Sequence, residues 1–145
     1  MSDARHFSIQ SRVYYEDTDA GGIVYHANYL RWMERARTEW LRALGARHVE
    51  LAERDAIQFV VSSLEIHYLR PARLDDLLQI DLTVDQARKA SLRLNQRVVL
   101  IEEDKAPNPD TPALTHASVR VAVMNRLTGR AAPLPPWLSR LLESK

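Results

Sequence analysis

The chain contains no cysteine. That absence removes disulfides, thiolate zinc sites and a cysteine nucleophile together. Glycine is scarce, with 4 in 145 residues, and two of the four stand side by side at Gly21 and Gly22. No charge of one sign dominates: 20 Lys and Arg face 19 Asp and Glu, so no global field favours nucleic acid or an anionic membrane. No apolar run approaches the length that spans a bilayer. The opening MSDARHFSIQ has charge but no apolar core, unlike a secretory signal. G-x-S-x-G, P-loop, G-x-G-x-x-G and H-E-x-x-H patterns are missing. The five histidines (His6, His26, His48, His67 and His116) show no metal-ligand spacing, so no metal is expected. What remains, 46% hydrophobic and 27% charged, is the composition of a soluble, cytoplasmic single domain over residues 1–145.

What is present has two periods. Ser8 to Tyr15 alternates around Ile9, Val13 and Tyr15, which predicts a first strand. From Tyr29 the apolar residues Tyr29, Leu30, Met33, Ala36, Trp40, Leu41 and Leu44 recur at three and four residue steps, one face of a helix. Asn28 is the expected N-cap and Gly45 the expected stop. The period then drops to two through Leu64–Tyr68, Leu78–Val84, Leu92–Val98 and Ala117–Val123, which predicts four antiparallel strands, each with one buried face. Glu102 to Pro112 (EEDKAPNPDTP) reads as a mobile hairpin loop, and WLSRLL as a short amphipathic tail. The order strand, long helix, four strands gives an α+β layer with the helix on the concave face of a five-stranded antiparallel sheet. The other face and the edges then call for a second copy, so a homo-oligomer is expected.

Residues 14–29, YYEDTDAGGIVYHANY, carry the chemistry-bearing side chains. Asp17 is best read as a turn residue bonding backbone N–H groups. Asp19 differs, because Ala20, Gly21 and Gly22 follow it and let the backbone approach another molecule closely. A carboxylate placed there can act as nucleophile or general base. His26 stands at the mouth of the helix, where unpaired N–H groups and the positive dipole end gather. Those N–H groups suit a developing oxyanion. Tyr15 leads into the turn, with its hydroxyl in reach of Asp19. Further on, Glu34/Arg37 and Arg35/Glu39 have salt-bridge spacing. Arg37 falls inside the apolar stripe and needs an acceptor there, either Glu34 or a carbonyl. Arg88 and Lys89, in DQARKAS, form a cationic turn suited to phosphate groups.

RVYYEDTDAGGIVYHANYLRWMERARTEWLRALG closely resembles the opening of YbgC-type acyl-CoA thioesterases, in the 4-hydroxybenzoyl-CoA thioesterase branch of the hotdog-fold superfamily. The likeness continues through FVVSSLEIHYLRPARLDDLLQI and the strand Ala117 to Met124, covering roughly residues 10 to 135. It implies a five-stranded antiparallel sheet wrapped around one long helix, assembled as a homodimer or homotetramer with sites at the dimer interface. It also implies catalytic roles for Asp19, His26 and Tyr15, with the thioester carbonyl polarised by a backbone N–H at His26 or its neighbour. Arg88 and Lys89 take the place of the basic residues that contact CoA phosphates. Coenzyme A is then part of the substrate and a product, and no cofactor is implied. Two other readings stand beside hydrolysis: a hydratase or dehydratase on the same fold, and a non-catalytic or weakly catalytic adaptor for acyl carrier protein or envelope-biogenesis partners. The adaptor follows from the Tol–Pal neighbourhood of such proteins.

Overall fold

A computed structural model describes residues 4–45, 47–102 and 105–143. Strand β1 (His6–Arg12) runs through a single 3-10 turn at Tyr15–Asp17 into helix α1 (His26–Ala43). A short helix α2 (His48–Arg54) follows, then β2 (Ile57–Tyr68), β3 (Leu77–Ala87), β4 (Ser91–Leu100), β5 (Thr115–Asn125) and a terminal helix α3 (Pro136–Leu141). The strands form one sheet in the order β1-β3-β4-β5-β2, and every pairing is antiparallel.

Helix α1 forms because one stripe of it, Tyr29, Trp32, Met33, Ala36, Trp40 and Leu41, is buried against that sheet. The sheet answers with the inward rows Leu78, Ile80, Leu82 and Val84 on β3, and Leu92, Leu94 and Val98 on β4. Burying each tryptophan removes roughly 200 Å² from water, worth about 5 kcal/mol before the entropy of ordering it. Trp40 also donates its indole N–H to Ala4 O at 2.7 Å, which fixes the far end of α1 against the start of β1. The helix stops where expected: Gly45 has φ +93°, and its N–H bonds Arg42 O.

Several expectations need correction. Helix α1 starts at His26, with extended Tyr25 as its N-cap, so Asn28 lies in the first turn rather than at the cap. Its side chain is taken by Asp17 instead, as described below. Helix α2 was missed because seven residues, HVELAER, are too few to show a helical period. Strand β2 begins at Ile57, earlier than the alternation at Leu64 suggests. That alternation does not mark a buried face either: Leu64 is 42% exposed and Tyr68 45% exposed, because β2 is an edge strand. Glu39 pairs with Arg42 at 2.9 Å rather than with Arg35. In the loop after β4, Glu103 and Asp104 lie outside the described residues, while Arg97 holds the rest by donating to the carbonyls of Asn108, Pro109 and Thr111. The WLSRLL tail is helical, as α3.

Candidate active site

The segment between β1 and α1 is a small hairpin of its own. Asp19 N–H donates to Ile23 O at 2.9 Å, Gly22 N–H returns to Asp19 O at 3.1 Å, and Thr18 bridges Val24. Closing this turn needs both glycines, for different reasons. Gly22 sits at φ +81°, where an L side chain is strained. Gly21 donates its N–H to Asp19 Oδ1 at 2.8 Å, and a Cβ there would come within 3.3 Å of that oxygen. The turn is strapped to the chain ahead of β3 through Val24 N–H to Ala72 O and the Ile23–Arg73 bridge.

The two aspartates of the motif do different work. Asp17 spends both carboxylate oxygens internally: Oδ2 accepts from Tyr14 N–H at 2.8 Å, and Oδ1 accepts from Asn28 Nδ2 at 2.6 Å. Its carbonyl takes Tyr25 N–H at 2.9 Å. Asp17 therefore pins the turn to the first turn of α1. Asp19 is exposed, and one of its oxygens has no partner among the described residues. It is a carboxylate held in place by one backbone N–H with an open face.

His26 is the first residue of α1, seven residues past Asp19. The leading N–H groups of a helix have no i→i−4 carbonyl, so a donor array and the positive dipole end meet at this residue. The His26 ring packs against Tyr25 (centroids 4.6 Å apart) and edge-on against Tyr68 (6.0 Å, 84°). No described residue engages either ring nitrogen by a hydrogen bond. Behind it, Tyr68 packs on Tyr29 at 5.7 Å, and the Tyr29 hydroxyl accepts Ala72 N–H at 3.0 Å. Burial pushes the Tyr29 hydroxyl above its ordinary pKa, and partial burial does the same to Tyr68, so both are neutral phenols at neutral pH.

Tyr15 is 82% exposed and does not donate to Asp19 within one chain. Arg88 and Lys89 form the turn between β3 and β4, with Arg88 N–H bonding Ser91 O. That turn is far from Asp19. The start of β3 pairs with the end of β1 at Arg12, next to the Asp19 hairpin, whereas Arg88 follows its other end, about 30 Å along the strand. One protomer thus carries Asp19 and His26 on the same loop-to-helix segment but leaves Arg88 and Lys89 apart from it. Beside that turn, however, stands a concentration of charge the sequence did not reveal. Arg93 on β4 lies directly opposite Arg120 on β5, and both line a small hollow with Arg88 and Gln86. Each arginine was visible as an outward position between two apolar residues, but only the strand register shows that they face each other. Tyr68 was missed for a similar reason, since it reaches His26 from a strand more than forty residues later. Among the described residues, no cluster of His, Asp and Glu is arranged to hold a metal ion.

The pattern of the thioesterase-like superfamily matches residues 13–142. Acyl-CoA thioesterase YbgC of Haemophilus influenzae is 44% identical over 119 residues, 82% of this chain and 81% of that protein. Acyl-CoA thioester hydrolase YbgC of Escherichia coli O6:H1 is 42% identical over 125 residues, 86% of each. The chain belongs to the YbgC-type acyl-CoA thioesterases. A crystal structure of a 4-hydroxybenzoyl CoA thioesterase variant complexed with 4-hydroxybenzoyl CoA superposes with a TM-score of 0.83 at 21% identity, covering 96% of this chain and 99% of that one. At that identity the likeness speaks for the fold alone, and the fold is the hotdog: a five-stranded antiparallel sheet around one long helix. Within this YbgC-type chain, His26 and Tyr68 meet at the start of the long helix, and Asp19 stands in the loop that leads into it.

Proposed function

We propose that this chain hydrolyses the thioester of acyl-CoA to a carboxylic acid and free CoA, with Asp19 as nucleophile or general base. The observation that carries the reading is an open, backbone-held carboxylate at Asp19 in the loop that leads into the donor array at the start of α1. The thioester oxygen lies on those N–H groups, where negative charge developing on it is stabilised by preorganised dipoles. Two routes are open to the carboxylate. In one, an Asp19 oxygen bonds to the acyl carbon as the C–S bond breaks, and water then hydrolyses the mixed anhydride. In the other, Asp19 takes a proton from the water that attacks. In both, His26 is the group at hand to protonate the departing thiolate, and its ring is oriented by Tyr25 and Tyr68. Single turnover in ¹⁸O-water identifies the first route when water attacks the aspartyl carbon of the anhydride, since that puts the label into the Asp19 carboxylate and the second route never does.

The reading includes a homo-oligomer with the sites at the dimer interface. Edge strand β2 leaves one side of its backbone unpaired and shows Val61, Leu64 and Tyr68 to the outside. A second copy there also supplies what one protomer lacks, with Tyr15 contributing to the site and the Arg88–Lys89 turn of one copy gripping the CoA phosphates bound at the other. Arg93 and Arg120 extend that grip. We place the reaction in the cytoplasm, with no resident cofactor or metal; an acyl carrier protein or Tol–Pal-linked partner belongs to the adaptor alternative.

The test is release of CoA, followed with a thiol reagent, across acyl-CoAs from acetyl to palmitoyl and 4-hydroxybenzoyl-CoA. The cysteine-free chain gives no background of its own. Asp19→Asn is expected to lose at least ~10² in kcat. Equal activity in wild type and Asp19→Asn would reduce Asp19 to a turn residue, and absence of any turnover would favour the adaptor.

A further inference from the structure

Of the arginines on helix α1, one falls within the apolar stripe. Arg37 lies on the buried stripe and is itself half-buried. Among the described residues, its single hydrogen bond runs from Nη1 to Gln96 Oε1 at 2.9 Å. Gln96 is fully buried on the inner face of β4, and its Nε2 donates to Met33 O at 2.9 Å. With that nitrogen committed to the helix, its oxygen can only face Arg37. The glutamine thus holds the guanidinium in one orientation and satisfies one of its five N–H groups. Among the described residues no carboxylate comes within ion-pair distance; Glu34, one turn earlier, is exposed and acts on Arg37 only at longer range. Burial lowers the Arg37 pKa and Glu34 partly restores it, so the group is a desolvated cation with donors to spare.

These donors belong to the lining of a cavity of about 500 Å³ between α1 and the sheet. Its apolar walls include Trp40, Leu41, Phe59, Leu92, Leu94 and Val121. Four of these six, Trp40, Leu41, Leu92 and Leu94, are among the most buried residues of the chain, so the space is a slot reaching into the core rather than a flat patch. Walls that are mostly apolar, with Arg37 as the one cation beside Glu34, Thr38 and Gln58, in a volume of this size, make a site for a small amphipathic ligand. The same helix links the slot to the reacting end of the molecule: His26 and Arg37 are about 16 Å apart along its axis.

We propose that this slot receives the acyl group of the substrate and that Arg37, held by Gln96, selects acyl groups that carry a carboxylate at their far end. The inference rests on the thioesterase reading and names its substrate class. The spacing along α1 suits a chain of dodecanoyl length, with the thioester at the helix start and the second carboxylate accepting from the free guanidinium donors.

The test compares dodecanedioyl-CoA with dodecanoyl-CoA on the oligomer as purified. Wild type is expected to show kcat/KM higher for the dicarboxylate by roughly 10-fold or more, the gain of a charge-assisted pair in a desolvated site. In Arg37→Met that ratio is expected to fall to near one. If both thioesters are cleaved but wild type shows no preference, or the preference survives in Arg37→Met, the proposal is overturned. It is also overturned if Arg37→Met weakens self-association and leaves the ratio unchanged, since the missing acceptor then belongs to the second copy. Calorimetry of wild type with the products, dodecanedioate against dodecanoate, decides the case if Arg37→Met does not fold. It decides it equally if no thioester is cleaved, an outcome that sinks the thioesterase reading by itself. Tighter binding of the dicarboxylate supports the site, and equal or absent binding overturns it.

Discussion

Two aspartates separated by one residue are expected to fail in opposite ways when replaced. Asp17→Ala removes the acceptor of two hydrogen bonds, from Tyr14 N–H at 2.8 Å and from Asn28 Nδ2 at 2.6 Å. Asn28 is 6% exposed, so its amide is left in the protein with a donor unsatisfied. Hydrogen bonds to a charged acceptor contribute about 1.5 to 3 kcal/mol each, and the outer one is discounted for its exposure, so the loss is about 3 kcal/mol. For a chain of this size that lowers Tm by about 10 °C. Asp19→Asn keeps an oxygen for Gly21 N–H and lies in the open, so its stability is expected within about 0.5 kcal/mol of wild type. The assay is urea unfolding followed by tryptophan fluorescence, at one protomer concentration for all variants because the proposed assembly would contribute to apparent stability. Activity separates them further: Asp17→Ala regains turnover in proportion to its folded fraction at low temperature, while Asp19→Asn stays inactive though fully folded. An Asn28→Ala, Asp17→Ala double variant should be less destabilised than the sum of the singles, since they share one bond. If Asp17→Ala unfolds within about 0.5 kcal/mol of wild type, or Asp19→Asn is equally destabilised, the division of labour argued from these distances is wrong.

Two further expectations follow from the sheet. Placing Lys at both Val61 and Leu64 puts charge on the exposed side of edge strand β2 and should convert the proposed oligomer to monomers by light scattering, with activity lost although Asp19 is untouched; a wild type already monomeric at micromolar concentration refutes the interface. Arg93→Gln removes one of two like charges placed opposite each other, so stability should hold or rise by a few tenths of a kcal/mol while KM for acyl-CoA rises several-fold. The same variant should leave KM for an acyl-pantetheine, which lacks the nucleotide phosphates, unchanged; an equal rise for both substrates refutes the phosphate contact.

The letters of this chain determined the local choices. The three to four residue spacing of Tyr29, Met33, Ala36 and Trp40 could bury a stripe only as a helix, and the alternations of β3, β4 and β5 could bury a face only as strands. The Gly21–Gly22 pair demanded a tight turn, and Asp19 stood out because of it. These outcomes depend on neighbours a few residues away, which a sequence displays directly. The start of α1 was misjudged because Asn28, a good cap by type, is bonded by Asp17 eleven residues earlier, and that preference yielded to a tertiary contact. Leu64 and Tyr68 alternate like core residues but lie at an edge, because strand order is set by which long-range pairings bury most surface, not by any local pattern. Tyr68 beside His26, Arg93 opposite Arg120 and Gln96 behind Arg37 are all meetings across strands or between helix and sheet. Periodicity says which way a side chain faces, but only the register of a folded sheet says what it meets there.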